Sequence, residues 1–553
     1  VILPKSKADL LRKVIMVKDA CRASASSRAA LSRAQSLLID TGRPNGSRSI
    51  MNTLNAHIDR SASHLFSPVD LRFVLDFESH YDRSVLAQGE ITARVLTREW
   101  ERKDIDVMFA EGVDISLRYG AAILKQMWGN AGLEAKLVMP WQFGVYREDM
   151  NNLDDQEAVC ESGLMTLEEV WRRISHLPDA ESMYRRIRSH SNRESADTVD
   201  NSFFHNVLST SILNTDLETQ RQQPGGVVQL SGDVPNGVVP PELMIDLVQF
   251  HELYIKDDDR QDYTTVLLIE PDIIVSPYFK RENFFAPETQ PFSLIQANRV
   301  PGLVWGKSEI IDLAEPQALL STLYDDAKRM MGLQVDKLLA FSGGEGINDE
   351  KYAEFRTAGF VDLGAGGSVT DLTPQMPGQV FQFIELIHKS MEEVAGFNNI
   401  MSGQGEAGVR AGVHAETLTR MASPRMRDRA LLLERQCAAA ADKTLSLLQQ
   451  KDGKMYSTDP TTGPVSQFLL YDLPEDRRVT VDSHSTSPIF AEDHKDLIGF
   501  GLKAGFLGGD SAIELLPFPQ KDLLKQRYKQ MQDAKAKMIQ EHPEILTKGH
   551  GKK

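Results

Sequence analysis

The 553-residue chain reads as an α+β protein that is mainly helical. Three observations predict this class. Apolar residues recur every three or four positions through most of the chain, the spacing of a helix with one buried stripe. One block, residues 243–277, instead gathers β-branched and aromatic residues into short runs around an acidic turn. The composition, 41% apolar and 25% charged, is that of a folded chain. At this length one core is not enough, and roughly three to five structural units are expected.

Residues 5–40, rich in Ala, Ser, Leu, Lys and Arg, read as helix, and Gly42-Arg43-Pro44-Asn45-Gly46 breaks the chain after them. A second helix is predicted over 47–66, where Ile50, Leu54, Ile58, Ala62 and Leu65 share one face and Ser67-Pro68 ends the run. Val69 to Phe77 alternates as a strand does. Residues 88–128 are predicted as one long helix or two, stopped at Gly129-Asn130, and residues 134–147 as a strand pair. Thr166 and Glu169 have the spacing of a capping box ahead of Val170-Trp171. Residues 181–200, basic around Tyr184-Arg185-Arg186-Ile187-Arg188, read as a linker or an exposed helix, and Pro and Gly interrupt 221–241.

The β-rich block follows, with strands over Met244 to Ile255, Thr264 to Ile269 and Ile273 to Val275, a sheet module of about 60 residues. Helices return after Gly306. Ser308 can cap a first turn, and Pro316 suits the start of a helix running to about Ala340. Residues 341–376 hold two Gly-rich stretches and short strands. A helix is predicted over 379–396, a Gly-rich loop over Ser402 to Gly412, and a long helix from His414 to Gln450 with a kink at Pro424. The last seventy residues read as helical with a lysine-rich tail.

With 62 Lys+Arg against 78 Asp+Glu, the formal charge is −16, which argues against a generally basic nucleic-acid coat. The three cysteines, Cys21, Cys160 and Cys437, are far apart and form no CxxC, so a disulfide scaffold and a structural zinc site are disfavoured. No run reaches the length of a membrane span, and the first residues lack the pattern of a signal peptide. No cofactor or metal is expected.

Four motifs invite a chemical reading. Gly302-Leu303-Val304-Trp305-Gly306-Lys307-Ser308 resembles a phosphate loop but has three residues between its glycines where four are needed. Gly364-Ala365-Gly366-Gly367 lacks the third glycine and the βαβ setting of a dinucleotide site. Asp257, Asp258, Asp259, Arg260 and Asp262 lack the alternation and distal Glu of a calcium loop and read as a solvated hairpin tip. Asp482-Ser483-His484 has triad residue types, but neighbours in a strand point to opposite faces. No catalytic centre emerges, and the chain is read as a non-enzyme. The segment 402–435 says more. A loop with Gly403, Gln404, Gly405, Glu406, Gly408 and Arg410 leads into a helix carrying Arg420, Arg425, Arg427 and Arg429. Either the arginines pair with Glu416, Asp428 and Glu434 on a surface helix, or a mobile loop touches a moving polyanion.

The order of features resembles the portal proteins of tailed bacteriophages, the head-to-tail connectors. The blocks that carry the resemblance are the helix Ile50 to Pro68; the β module ending in Pro291-Phe292-Ser293-Leu294-Ile295 with Val300 to Glu309 after it and then a long helix with Gln317; Gly412 to Leu418 through Arg425, Arg429 and Glu434; and Val481 to Ser485 followed by Pro488-Ile489 and Ala491-Glu492-Asp493. Together they span most of residues 45–520. The resemblance implies the portal fold of wing, stem, clip and crown, assembled as a ring of about twelve subunits around a channel for double-stranded DNA. It places an N-terminal helical arm at 1–40, the wing at 41–199 and 341–478, a first stem region at 200–240, the clip at 241–304, a second stem helix at 305–340 and the crown at 479–553. It makes 402–412 the tunnel loop and Asp257 to Asp262 the tip that docks the terminase large subunit and later the head-tail adaptor or tail. Further partners it implies are the major capsid protein and a scaffolding protein, with no membrane. The protein would sit at the capsid portal vertex of the virion and, during assembly, in the host cytoplasm. A packaging ATPase, or another nucleotide-driven enzyme, and a tail-side adaptor are the alternatives.

Overall fold

A computed structural model describes residues 9–24, 53–68, 71–77, 82–129, 132–175, 177, 179–189, 247–257, 262–270, 273–274, 290–335, 339–342, 366–372, 378–395, 424–458, 466–474, 476–481, 499–504 and 527–532. Helix and strand alternate along it, an α+β arrangement. The helices are α1 (residues 9–24), α2 (Thr53–Leu65), α3 (Arg83–Arg102), α4 (Ile105–Tyr119), α5 (Leu167–Ile174), α6 (Ala180–Ser189), α7 (Ile310–Val335), α8 (Gln379–Ala395) and α9 (Pro424–Lys451). The strands are β1 (Phe73–Phe77), β2 (Ala122–Gly129), β3 (Gly132–Val138), β4 (Phe143–Val145), β5 (Ala158–Thr166), β6 (Leu247–Asp257), β7 (Asp262–Ile269), β8 (Ile273–Ile274), β9 (Phe292–Ile295), β10 (Leu339–Ser342), β11 (Ser368–Asp371), β12 (Met455–Ser457), β13 (Gln467–Leu469) and β14 (Arg477–Val481).

The largest sheet is antiparallel in the order β4-β5-β6-β7-β8. The β-rich block is therefore not a separate module. Its strand β6 pairs with β5 from Ala158↔Ile255 to Thr166↔Leu247, so the sheet begins in residues 143–166 and continues into 247–274. One face is covered by α1, whose Leu10, Val14, Val17 and Cys21 sit on Ala158, Cys160, Leu253, Ile255, Val266 and Leu268. The opposite face is divided. One end meets Phe292, Val304 and Trp305, and the other packs on α5 and α6 through Val170, Ile174 and Ile187. The predicted capping box opens α5: Thr166 Oγ1 accepts from the Glu169 amide at 3.3 Å while Glu169 Oε2 accepts from the Thr166 amide at 3.3 Å. The basic stretch 181–189 is the helix α6, fixed by fully buried Ile187.

A second sheet has the order β3-β2-β9. Here the sequence reading needs two corrections. Residues 88–128 form two helices and a strand: α3 and α4 part at Asp104, which has φ +52°, and Gly120, with φ +90°, ends α4 so that Ala122–Gly129 runs as the central strand β2. A strand paired on both edges and buried on both faces shows no alternation, and its apolar run continues the helix-like pattern before it. Residues 134–147 are strands as predicted, but not a pair: β3 pairs with β2, and β4 with β5.

The main core surrounds α9, which buries Met426, Ala430, Leu433, Cys437, Ala440, Ala441 and Leu445 against α2, α3 and the β2 and β9 strands. Trp100, fully buried, donates to Thr444 Oγ1 at 3.0 Å. β1 pairs with β14, joining residues 73–77 to 477–481. Helix α7 starts at Ile310 and not at Pro316. Ser308 Oγ accepts from the Ile310 amide at 3.1 Å, which sets the first turn, and Pro316 lies inside the helix with one backbone bond missing. The predicted helix over 379–396 is α8, and the long helix ending near residue 450 is α9.

Candidate assembly limb

α7 and α8 pack on each other. The chain runs out along α7 and β10 and returns along β11 and α8. β10 and β11 pair antiparallel from Leu339↔Asp371 to Ser342↔Ser368, in a two-stranded ladder of their own. The helices touch along their length: Tyr324 and His388 lie 3.3 Å apart, hydroxyl oxygen to Nε2, and Ile384, Ile387 and Met391 turn into the core beside Leu320 and Leu323. At 26 residues, α7 is about 39 Å long.

The limb is rooted firmly. Gln317 on α7 accepts with Oε1 from Thr53 Oγ1 at 2.6 Å and from the Leu54 amide at 3.2 Å, capping α2. Buried Arg429 on α9 pairs with buried Glu309, just before α7. Gly306 meets Gly120 backbone to backbone: a Cβ on Gly306 would lie 2.2 Å from the Gly120 oxygen. Only glycine fits at either position. Lys307 pairs with Asp312 at 2.6 Å, and the Ser308 hydroxyl donates to the carbonyls at the end of α4. Residues 302–308 are a packing joint between α4 and α7.

Beyond its root the limb exposes apolar side chains. α8 buries one stripe, Ile384, Ile387 and Met391, yet Phe381, Phe383, Leu386 and Val394 remain 58, 44, 61 and 38% exposed. Leu319 and Met331 on α7 are 42 and 52% exposed, and Leu372, next to β11, is 54% exposed. Phe383, Leu386 and Val394, with Ser390 between, fall at helical spacing and form a second stripe on α8. Scattered exposed apolar residues are normal, but a continuous set on one limb marks an interaction surface.

Charge is buried at another joint. Lys125 on β2 contacts Glu252 at 2.5 Å and Glu161 at 2.6 Å, and Lys136 on β3 contacts the other Glu161 oxygen. The cluster ties the three-stranded sheet to the five-stranded one. Burial works against the Lys125 charge, but the two carboxylates outweigh it and hold the ammonium protonated. Burial likewise raises Glu252, and Lys125 outweighs it, leaving the carboxyl well below its usual range. On the far face of β5 and β6, the paired residues Ser162 and His251 hydrogen-bond at 2.7 Å through Nδ1.

Of the site residues read from sequence, Gly403, Gln404, Gly405, Glu406, Gly408, Arg410 and Arg420 lie outside the described residues, in the connection from α8 to α9. Asp258, Asp259 and Arg260 also lie outside them, and Asp257 and Asp262 are the last register pair of β6 and β7. Arg425 and Arg427 fall in the first turn of α9, and Arg429 points inward to Glu309. Asp482-Ser483-His484 lies outside the described residues. Sequence reasoning missed the limb as a surface. The signal was present in the second apolar stripe of α8, which a buried helix with one partner does not need. Among the described residues no group of His, Cys, Asp and Glu could hold a metal ion, and no helix is long and apolar enough to cross a membrane. No known family model matches the chain, and no curated protein matches it at significant similarity.

Proposed function

We propose that the protein is a portal subunit of a tailed bacteriophage, a non-enzymatic ring around a channel through which double-stranded DNA enters and leaves the capsid. The observation that carries this reading is the limb. A helix, a two-stranded ladder and a returning helix follow one another in the chain and carry exposed apolar side chains. The family to which the sequence blocks point has the order stem, clip, stem. In this reading α7 and α8 are the stem helices, residues 336–378 form the clip that docks the terminase large subunit and later the head-tail adaptor, and β6 to β8 belong to the wing. The connection of α8 to α9, with Gly403 to Arg410, remains the tunnel loop.

The charge suits a conduit. A strongly basic bore would hold each phosphate and act as a brake, whereas copies of a chain at −16 give a ring that DNA can slide through. The major capsid protein, a scaffolding protein and the tail are the further partners of this reading, and the virion its location. The packaging-ATPase alternative rested on residues 302–308, where Lys307 is engaged by Asp312 and glycine meets glycine.

Electron-microscopy class averages of the purified protein test the proposal. Rings with a central channel are expected. A monodisperse monomer across salt and concentration would overturn it.

A further inference from the structure

Two of the three cysteines come together on the α1 face of the five-stranded sheet. Gly144 on β4 is the register partner of Cys160 on β5. Paired residues of an antiparallel ladder point to the same face, with Cβ atoms about 4.5–5.5 Å apart. Cys21 of α1 fills the place where Gly144 has no side chain. A Cβ on Gly144 would lie 2.0 Å from the Cys21 carbonyl oxygen and 3.3 Å from the Cys21 Cα. One cross-strand step thus separates Cys160 from the point where Cys21 meets the sheet. A disulfide needs Cβ atoms roughly 3.5–4.5 Å apart, so side-chain rotation with a small shift of α1 joins the two sulfurs.

Little holds the thiols where they are. Cys21 Sγ lies 4.0 Å from the Ala158 carbonyl oxygen, and Cys160 Sγ lies 3.5 Å from Ser162 Oγ. Both are weak contacts, as sulfur is a poor donor and acceptor. Around them the α1 interface is apolar, built on Leu10, Val14, Val17 and Leu253. While α1 is docked the pair is inert. Burial raises both thiols, Cys160 to about 12, and each adds to Cys21 as a protonated, unreactive group. Cys437 lies apart from them, in the main core under α9.

We propose that Cys21 and Cys160 are a redox-closable pair, oxidised by a low-molecular-weight disulfide when α1 lifts, to a protein disulfide that ties α1 to β5. The step is two thiol–disulfide exchanges. The Cys21 thiolate, exposed as α1 lifts, attacks one sulfur of oxidised glutathione and expels a glutathione thiolate. Return of α1 brings the mixed disulfide to Cys160, whose thiolate attacks the Cys21 sulfur and expels the second glutathione. The two protein thiols give up two protons and two electrons, and the electrons and protons leave on two molecules of reduced glutathione. The pair records whether α1 has opened, independently of any assembly of the chain.

The test uses the full-length protein with oxidised glutathione at neutral pH, in urea below the unfolding transition, followed by peptide mapping without reduction. A peptide joining residues 21 and 160 is expected, lighter by two hydrogens than its separate parts, with Cys437 still a thiol. The bond closes a loop of well over a hundred residues, so the melting temperature should rise and return with dithiothreitol. Trypsin cleavage within α1 should slow several-fold in parallel. Cys437→Ser should leave the link intact, and Cys160→Ser should stop the reaction at the Cys21 mixed disulfide. Separate glutathione adducts on Cys21 and Cys160 in the unmodified protein would overturn the pairing, as would linkage of either to Cys437. Two untouched thiols at every urea concentration below unfolding would overturn it as well.

Discussion

His251 and Arg429 show how single buried groups set this protein's response to its surroundings. Burial first, and the charges of Lys18 and Arg22 next, push His251 down to about 3. An unfolded imidazole binds its proton near pH 6.5, so the unfolded state holds more protons between those values. The stability His251 contributes is present in full above pH 6.5 and is lost as pH falls toward 3. His57 and His64 are lowered too, burial being the larger cause in each, and Glu252 adds its own loss below its ordinary value of 4.5. Thermal melting should therefore move steadily downward from pH 7 to pH 4. His251→Gln should flatten that slope, and an unchanged slope would assign it to the other groups. Arg429→Met should cost about 3–5 kcal/mol in denaturant melts, because it strands Glu309 in the core. Burial raises all three thiols, Cys160 to about 12. Maleimide should leave the native chain unlabelled over hours and react fully once it is unfolded, as thiolate is the reactive form. None of these pairings was legible in sequence, since Lys125 with Glu252 and Arg429 with Glu309 are separated by more than a hundred residues.

Elements whose signal is local were legible. The capping box of α5, the alternation of β1 and the β6–β7 hairpin follow from spacing that needs no distant partner. The elements misread were those whose pattern is set by neighbours elsewhere. β2 is buried on both faces because the main core covers Ala122 and Leu124 while the cluster of Phe143 and Phe292 covers Ile123, so it lost the alternation that identifies a strand. Pro316 suits a first helical position as well as Ser308 suits a cap, and in the structure the Ser308 cap opens the helix at Ile310 and leaves Pro316 inside it. Two predictions belong at this scale. Removing residues 1–24 would uncover the α1 face of the five-stranded sheet and expose Cys160, which should then react with maleimide in the otherwise folded protein. Leu386→Glu, at a site 61% exposed, should leave stability within about 0.5 kcal/mol while reducing assembly, as seen by light scattering.

For the whole molecule, the α+β class was legible from periodicity alone, and the layout was not. The β-rich block looked self-contained because its hairpins are local, yet its first strand completes a sheet begun some ninety residues earlier, from Ser162 to His251. The limb was divided between two units because its two helices are separated in sequence by the ladder they share. The glycine-rich connection that first drew attention as a site remains legible only in sequence. The pairing of β1 with β14 also has a consequence for synthesis. Residues 73–77 leave the ribosome roughly four hundred residues before their partners at 477–481, at about 5–20 residues per second. For tens of seconds the edge of β1 and the apolar side chains of Phe73, Leu75 and Phe77 have no native cover from β14. A nascent chain that stalls before residue 477 thus keeps the β1 edge open, and that edge closes only when the distant strand arrives.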